Sequence, residues 1–134
     1  MKTSVRIVLA VAASIFLAGC YSFPSRHGQW AGTVTYEHLR TYEGEEQDCA
    51  NLAFDAPPEM KGHKPKEALL VDANGYCYTP NQVPSSRLHV QGYLYAGFPR
   101  SQQRGKPLFT VTQGATNDMQ LWWLLEVKNI ELLY

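Results

Sequence analysis

The side chains of this 134-residue chain that suit chemistry are four histidines, a crowd of carboxylates, three cysteines and a set of aromatic rings. The histidines are His27, His38, His63 and His89, and no two stand in an H-E-x-x-H or H-x-H pattern. A metal site would need them gathered by tertiary contact, so solvated or strand-edge histidines are expected and no metal is implied. Glu43, Glu45, Glu46 and Asp48 crowd one short segment. They lack the ligand alternation of a calcium loop and read as a solvated acidic turn, or as a docking patch for a basic partner. Ser85 and Ser86 sit in no G-x-S-x-G elbow. No Gly-rich phosphate loop is present and no cofactor is implied. A Ser–His–Asp or paired-carboxylate site would have to assemble in space.

The aromatic residues are more suggestive. Trp30, Trp122, Trp123 and eight tyrosines lie beyond the first twenty residues. Tyr93 and Tyr95 alternate along one stretch and so share a strand face. Trp122 and Trp123 are adjacent, so in a strand they point to opposite faces. Rigid amphipathic rings on a sheet surface are typical binding anchors. Tyr93, Tyr95 and Trp122, with Glu43, Glu45 and Glu46, are therefore the candidate binding surface. The bland alternative is that loops of the same chain cover these rings, with 56–66 as the lid.

The elements that must position these groups are short strands. Trp30 to His38 alternates, with Trp30, Gly32, Val34 and Tyr36 on one face. Arg40 to Asp48 reads as an acidic turn, and Cys49 to Phe54 as a second short strand. Ala56 to Lys66 holds Pro57, Pro58, Gly62 and Pro65 and reads as a long surface loop. Glu67 to Asp72 carries the apolar run Ala68-Leu69-Leu70-Val71. Asn74-Gly75 supplies the positive φ of a tight reversal, and Tyr76-Cys77-Tyr78 leads back as a strand. Arg87 to Ala96 is the cleanest alternation, and Gly92 inside it predicts a bulge or sharp coil. Pro107 to Thr112 is a further strand, and Gln113 to Asp118 a turn. Met119 to Tyr134 fits strands better than a helix. Its alternation shifts phase at Lys128-Asn129, as two strands, or one strand with a bulge, would.

The N-terminus carries a processing signal. Lys2 and Arg6 precede an apolar run from Ile7 to Ala18, broken only by Ser14, which ends in Leu17-Ala18-Gly19-Cys20. The run is too short for a comfortable membrane span of about 20 residues. The segment resembles a bacterial lipoprotein signal peptide with a lipobox. That resemblance implies a signal peptide over 1–19, cleavage before Cys20, diacylation of its thiol and often acylation of the new amine. Each buried methylene is worth about 0.8 kcal/mol, and two or three chains hold a domain at a bilayer. Tyr21 stands where Asp commonly retains such proteins in the inner membrane, which implies the outer membrane, on its periplasmic face. Residues 20–29 read as a lipidated tether, too short to hold the body far from the surface, and 30–134 as one small β domain. With Cys20 lipidated, Cys49 and Cys77 remain for one pairing, which an exported compartment permits. The loop from Cys49 to Cys77 holds 29 residues. Closing such a loop is worth about 3 to 4 kcal/mol on the chain-entropy account.

Removing Lys2 and Arg6 from 12 basic residues leaves 10 against 12 acidic ones, a formal charge of −2. No basic tract exists to neutralise a phosphate backbone, so no nucleic acid is expected as partner. The fold class is mainly β, a small antiparallel barrel or sandwich with one disulfide. A cystatin-like or lipocalin-like sheet is an alternative. The stretch Arg87 to Ala96 with its mid-strand Gly92, then Lys106 to Thr112 and a terminal Glu126 to Leu133, resembles an oligonucleotide/oligosaccharide-binding (OB) barrel. In the periplasm that resemblance implies a binding or adaptor module. The expected function is a non-enzymatic accessory or assembly lipoprotein that holds an envelope protein, with the membrane engaged through acyl chains on Cys20. Alternatives are an immunity or inhibitor protein for a toxin or cell-wall hydrolase, and a small hydrolase in which two of His38, His63 and His89 approach Asp48, Asp55 or Asp72.

Overall fold

A computed structural model describes residues 23–110 and 121–133. The signal peptide, Cys20, the first residues of the tether, the 113–118 turn, Met119 and Tyr134 lie outside the described residues. Six strands form in chain order: β1 Arg26–Thr41, β2 Glu46–Phe54, β3 Glu67–Val71, β4 Arg87–Gly97, β5 Leu108–Thr110 and β6 Trp122–Leu133. There is no helix among the described residues. The alternating Val, Thr, Tyr and Trp content that favours pleated, half-buried surfaces is realised as one mixed sheet.

The sheet is ordered β2-β3-β6-β4-β1-β5, and β1 also pairs with β2. The path β1-β2-β3-β6-β4 therefore returns to β1. β1 achieves this with its two halves. Arg26 to Thr33 pairs with β4, while Gly32 to Arg40 pairs with β2 on the other edge. All pairings are antiparallel except β3 with β6, where Leu69 opposes Leu124. That parallel pair departs from the all-antiparallel expectation. Beside it, β3 is buried on both faces, which is why Ala68-Leu69-Leu70-Val71 is a continuous apolar run rather than an alternating one.

Two cores result. The main core joins Trp30, Val34, Leu52, Phe54, Leu70, Leu88, Val90, Leu94 and Leu125. The second lies on the opposite face of β3 and joins Leu39, Cys49, Leu69, Val71, Cys77, Leu108 and Leu124. β1 serves both. Its buried positions are even-numbered through Val34 and odd-numbered at Leu39 and Thr41. The strand changes its buried face midway.

The local signals read from the chain are met at Gly92 and Gly75. Gln91 opposes Asn129 while Gly92 opposes Val127, so Lys128 is the extra residue of a β-bulge. A Cβ on Gly92 would sit 2.1 Å from the Glu126 carbonyl oxygen. Only glycine lets the strands approach this closely. Gly75 has φ +81°, and its N–H donates to the Asp72 carbonyl at 3.0 Å. The Asp72 carboxylate accepts from the Asn74 and Tyr76 N–H groups at 2.8 and 3.0 Å.

Four expectations need correction. β1 begins at Arg26, so residues 26–29 of the expected tether are strand, paired to β4. The acidic turn is only Tyr42–Glu45, because β1 runs on to Thr41 and β2 starts at Glu46. Tyr76 to Tyr78 is no strand. It is held by bridges of Cys77 to Val71 and of Tyr76 to Arg100, since its neighbour on β3 ends at Val71. The 56–66 loop is not simply a surface loop. Met60 is buried in the main core, and a tight turn pairs Met60 with His63.

Candidate functional site

The acidic residues sit at the tip of the β1–β2 hairpin. The Thr41 N–H donates to the Glu45 carbonyl at 2.8 Å, and the Glu45 N–H donates back to the Thr41 hydroxyl at 3.1 Å. The tip is closed by the Gly44 N–H, which donates to the Thr41 carbonyl at 3.0 Å. These bonds fix the backbone that carries the carboxylates. Lys106 reaches Glu43 at 3.3 Å and Glu45 at 3.8 Å. Glu43 is held below the ordinary carboxylate range, first by its own backbone N–H and then by Lys106.

On the strands below, His38 opposes Asp48. Its Nδ1 lies 2.6 Å from Asp48 and its Nε2 3.1 Å from Glu46. The imidazole is pushed above its ordinary value, most by the Asp48 hydrogen bond and next by that of Glu46. Hydrogen bonds to both ring nitrogens favour the charged form. All these groups are solvent-exposed, so the pairing orients side chains more than it stabilises the fold.

Beside the hairpin lies a cleft of about 410 Å³. Glu45, Glu46, Gln47 and Asp48 line one wall, Ser101 to Gln103 the other, and Thr79 with Pro80 a third side. Two amide side chains join the walls. Gln47 Nε2 donates to the Cys77 carbonyl at 3.1 Å, and its Oε1 accepts from the Gln102 N–H at 3.0 Å. Gln102 Nε2 donates to the same Cys77 carbonyl at 2.9 Å. The cleft is thus braced, polar and acid-rimmed. Gln47, Gln102 and Thr79 were not singled out in the sequence. Gln47 and Gln102 are joined to Cys77 and to each other across long chain separations, and no spacing announces them.

The aromatic candidates are elsewhere, and they are only partly a free surface. Tyr93 and Tyr95 stack with ring centroids 5.5 Å apart, and His27 lies 4.6 Å from Tyr93. The Tyr93 hydroxyl is hydrogen-bonded to Ser25 at 2.7 Å. Tyr95 and Trp122 pack against the second core, and burial raises the Tyr95 phenol above its ordinary value. Trp123 packs on the main core instead. His63 and Phe23 lie against it, at 5.9 and 6.5 Å. His63 of the 56–66 loop thus lies against Trp123, whereas Tyr95 and Trp122 of the candidate surface pack against the second core instead. The tyrosine row starts at the opposite end of β1 from the acidic hairpin, so the candidates form two surfaces rather than one.

Cys49 and Cys77 are buried free thiols in this structure. They touch: the Cys77 thiol is raised above its ordinary value first by its hydrogen bond with Cys49 and then by burial. Of the three histidines weighed for hydrolysis, His38 alone meets one of the expected aspartates. His63 lies against Phe23 and edge-on to Trp123, while His89 lies within β4 opposite Ala31. Among the described residues no three His, Cys, Asp or Glu side chains gather as a metal site.

Compared with protein-family models, with curated proteins and with solved structures, the chain matches none.

Proposed function

We propose that this chain is a non-enzymatic, lipid-anchored binding module at the periplasmic face of an outer membrane, and that it holds a basic envelope protein at its acid-rimmed cleft. The single observation that carries the reading is the cleft itself. It sets Glu45, Glu46 and Asp48 on one wall, which is a complement for lysine- or arginine-rich surfaces. The lipid anchor rests on Leu17-Ala18-Gly19-Cys20 and raises the local concentration of the module at the envelope. No helix among the described residues is long and apolar enough to cross a membrane.

The scaffold we propose is an OB-type barrel. Thr35 pairs with Asn51, Asn51 with Leu69, Leu69 with Leu124 and Leu124 with Tyr95. Tyr95 is one residue past Leu94, which pairs with Arg26. The ladder so returns at Ser25, ten residues before Thr35. A five-strand ring with a fixed offset is what closure demands, and OB barrels have five strands. The strand 2–3 face that serves ligands in such barrels is covered here by the second core, where Cys77 and Leu108 pack on Cys49 and Leu69. That supports binding at the rim, between hairpin and covering segments. The two contacting thiols support a disulfide that would pin this cover to β2 in an oxidising compartment.

A second reading, an inhibitor that inserts the hairpin into a hydrolase cleft, is favoured by Tyr42. This ring is 73% exposed at the hairpin tip beside Glu43, and exposed tyrosines are frequent hot spots. One experiment separates the two. A photoreactive residue is placed at Gln103 or at Tyr42 in the full-length protein in native membranes. The cleft reading predicts a partner crosslinked from Gln103 and lost in E45K/E46K. A partner caught only from Tyr42 supports the inhibitor reading. A partner captured from neither position, but from Tyr93, refutes both.

A further inference from the structure

We propose that the sheet end where the chain leaves the lipidated cysteine is itself a membrane-docking face, seated in the headgroup layer of the bilayer that holds Cys20. The proposal rests on the lipid-anchor reading and extends it from a tether to an oriented surface. Three of the large apolar side chains left exposed lie together here: Phe23 at 48%, Phe98 at 46% and Leu121 at 40%. The pairing explains their meeting. β4 ends at Gly97 opposite Trp122, so Phe98 and Leu121 flank the last ladder pair. Arg26 opposes Leu94, so the residues before Arg26 run beside that same end of β4. Phe23 lies edge-on to Trp123, which opposes Ala96.

The occupant follows from chain length. Phe23 is three residues from Cys20. An extended chain spans at most about 3.5 Å per residue, so Phe23 stays within about 10 Å of the acylated sulfur. A bilayer's polar layer is roughly 5 to 8 Å deep on each side. Phe23 is thereby kept in that layer or within a few ångströms of it while the lipid is inserted. Phe and Leu side chains on an interfacial face bury their apolar area at the boundary between headgroups and acyl chains. Arg26 and Arg100, both exposed, follow Phe23 by three residues and Phe98 by two, and would serve as partners for lipid phosphates. The three apolar groups need no protein to cover them.

The test uses the full-length protein, purified with its lipid and reconstituted into phosphatidylethanolamine/phosphatidylglycerol vesicles with brominated acyl chains. Bromine quenches nearby indoles, so the emission of Trp122 and Trp123 reports depth, while Trp30 in the core reports little. The proposal expects quenching in the wild type and its loss in F98D/L121D, with flotation on the vesicles kept by the acyl chains. F98S/L121S is run beside it, with far-UV circular dichroism to confirm the fold of each pair. An acylated, floating wild type without quenching overturns the docking face and leaves the anchor standing. An unquenched wild type that crosslinks as a dimer through this end overturns it in favour of a second copy. Absence of acyl mass on Cys20, with no flotation, overturns the anchor and the docking face together.

Discussion

Gly92→Ala is the sharpest test of how the sheet closes. The added Cβ would stand 2.1 Å from the Glu126 carbonyl oxygen and 3.2 Å from a Leu125 methyl. Non-bonded heavy atoms settle near 3.5 Å, so β4 and β6 would have to part by more than 1 Å at this point. The neighbouring ladder pairs, Tyr93 with Glu126 and Gln91 with Asn129, flank the bulge. Losing one or two ladder hydrogen bonds costs about 1 kcal/mol each, and the strain of an overpacked site adds about 1 to 3. The sum is about 2 to 5 kcal/mol, against a typical domain stability of about 5 to 15. By the usual scaling, the melting temperature falls by roughly 10 to 20 °C. Thermal unfolding by circular dichroism measures it. Gly44→Ala is the control, since Gly44 has φ +92° and nothing within 4 Å of its missing Cβ. Its cost is only the left-handed backbone penalty, about 1 to 2 kcal/mol. If Gly92→Ala melted within a few degrees of the wild type, or above Gly44→Ala, the close approach of β4 and β6 would be wrong.

Three further outcomes are expected. If Cys49 and Cys77 join, unfolding in denaturant should lose about 3 to 4 kcal/mol when reductant is added; equal midpoints with and without reductant would mean two free thiols. The His38 imidazole should titrate above its ordinary value, because Asp48 and Glu46 hold its charged form. Its contribution to stability is then full below the unfolded-state pKa and fades as pH rises through the folded one; a proton NMR titration with a midpoint at or below the ordinary value would contradict the pairing. Asp55, held low by the Arg87 guanidinium at 2.6 Å, runs the other way. Its contribution is present above the unfolded-state pKa and is lost as pH falls through the depressed folded value, so D55N should flatten the acid limb of stability against pH.

The strands were legible wherever one face meets the core and the other meets water. Leu88, Val90, Gly92 and Leu94 alternate because the even-numbered face of β4 is buried in the main core, and the phase shift at Lys128-Asn129 falls where β6 carries its bulge. Alternation is silent about a second layer. Tyr95 and Trp122 looked free because nothing in their own strands shows that Cys77 and Leu108 lie over the same face. The cleft was half legible. Glu45, Glu46 and Asp48 announce themselves by charge, but the opposite wall comes from 101–103, more than fifty residues away. Likewise the start of β1 was missed because Arg26 to Gln29 is polar and small. Its strand character comes from pairing with β4, a long-range contact that local pattern does not encode.

The identity of the N-terminus decides the account more directly than any other observation. Intact-mass and fragment spectra of the protein extracted from membranes should begin at Cys20, heavier than the peptide by two or three fatty-acyl chains and a glycerol. A first residue of Met1, or an unmodified sulfur at position 20, would contradict anchoring and the envelope partnership built on it.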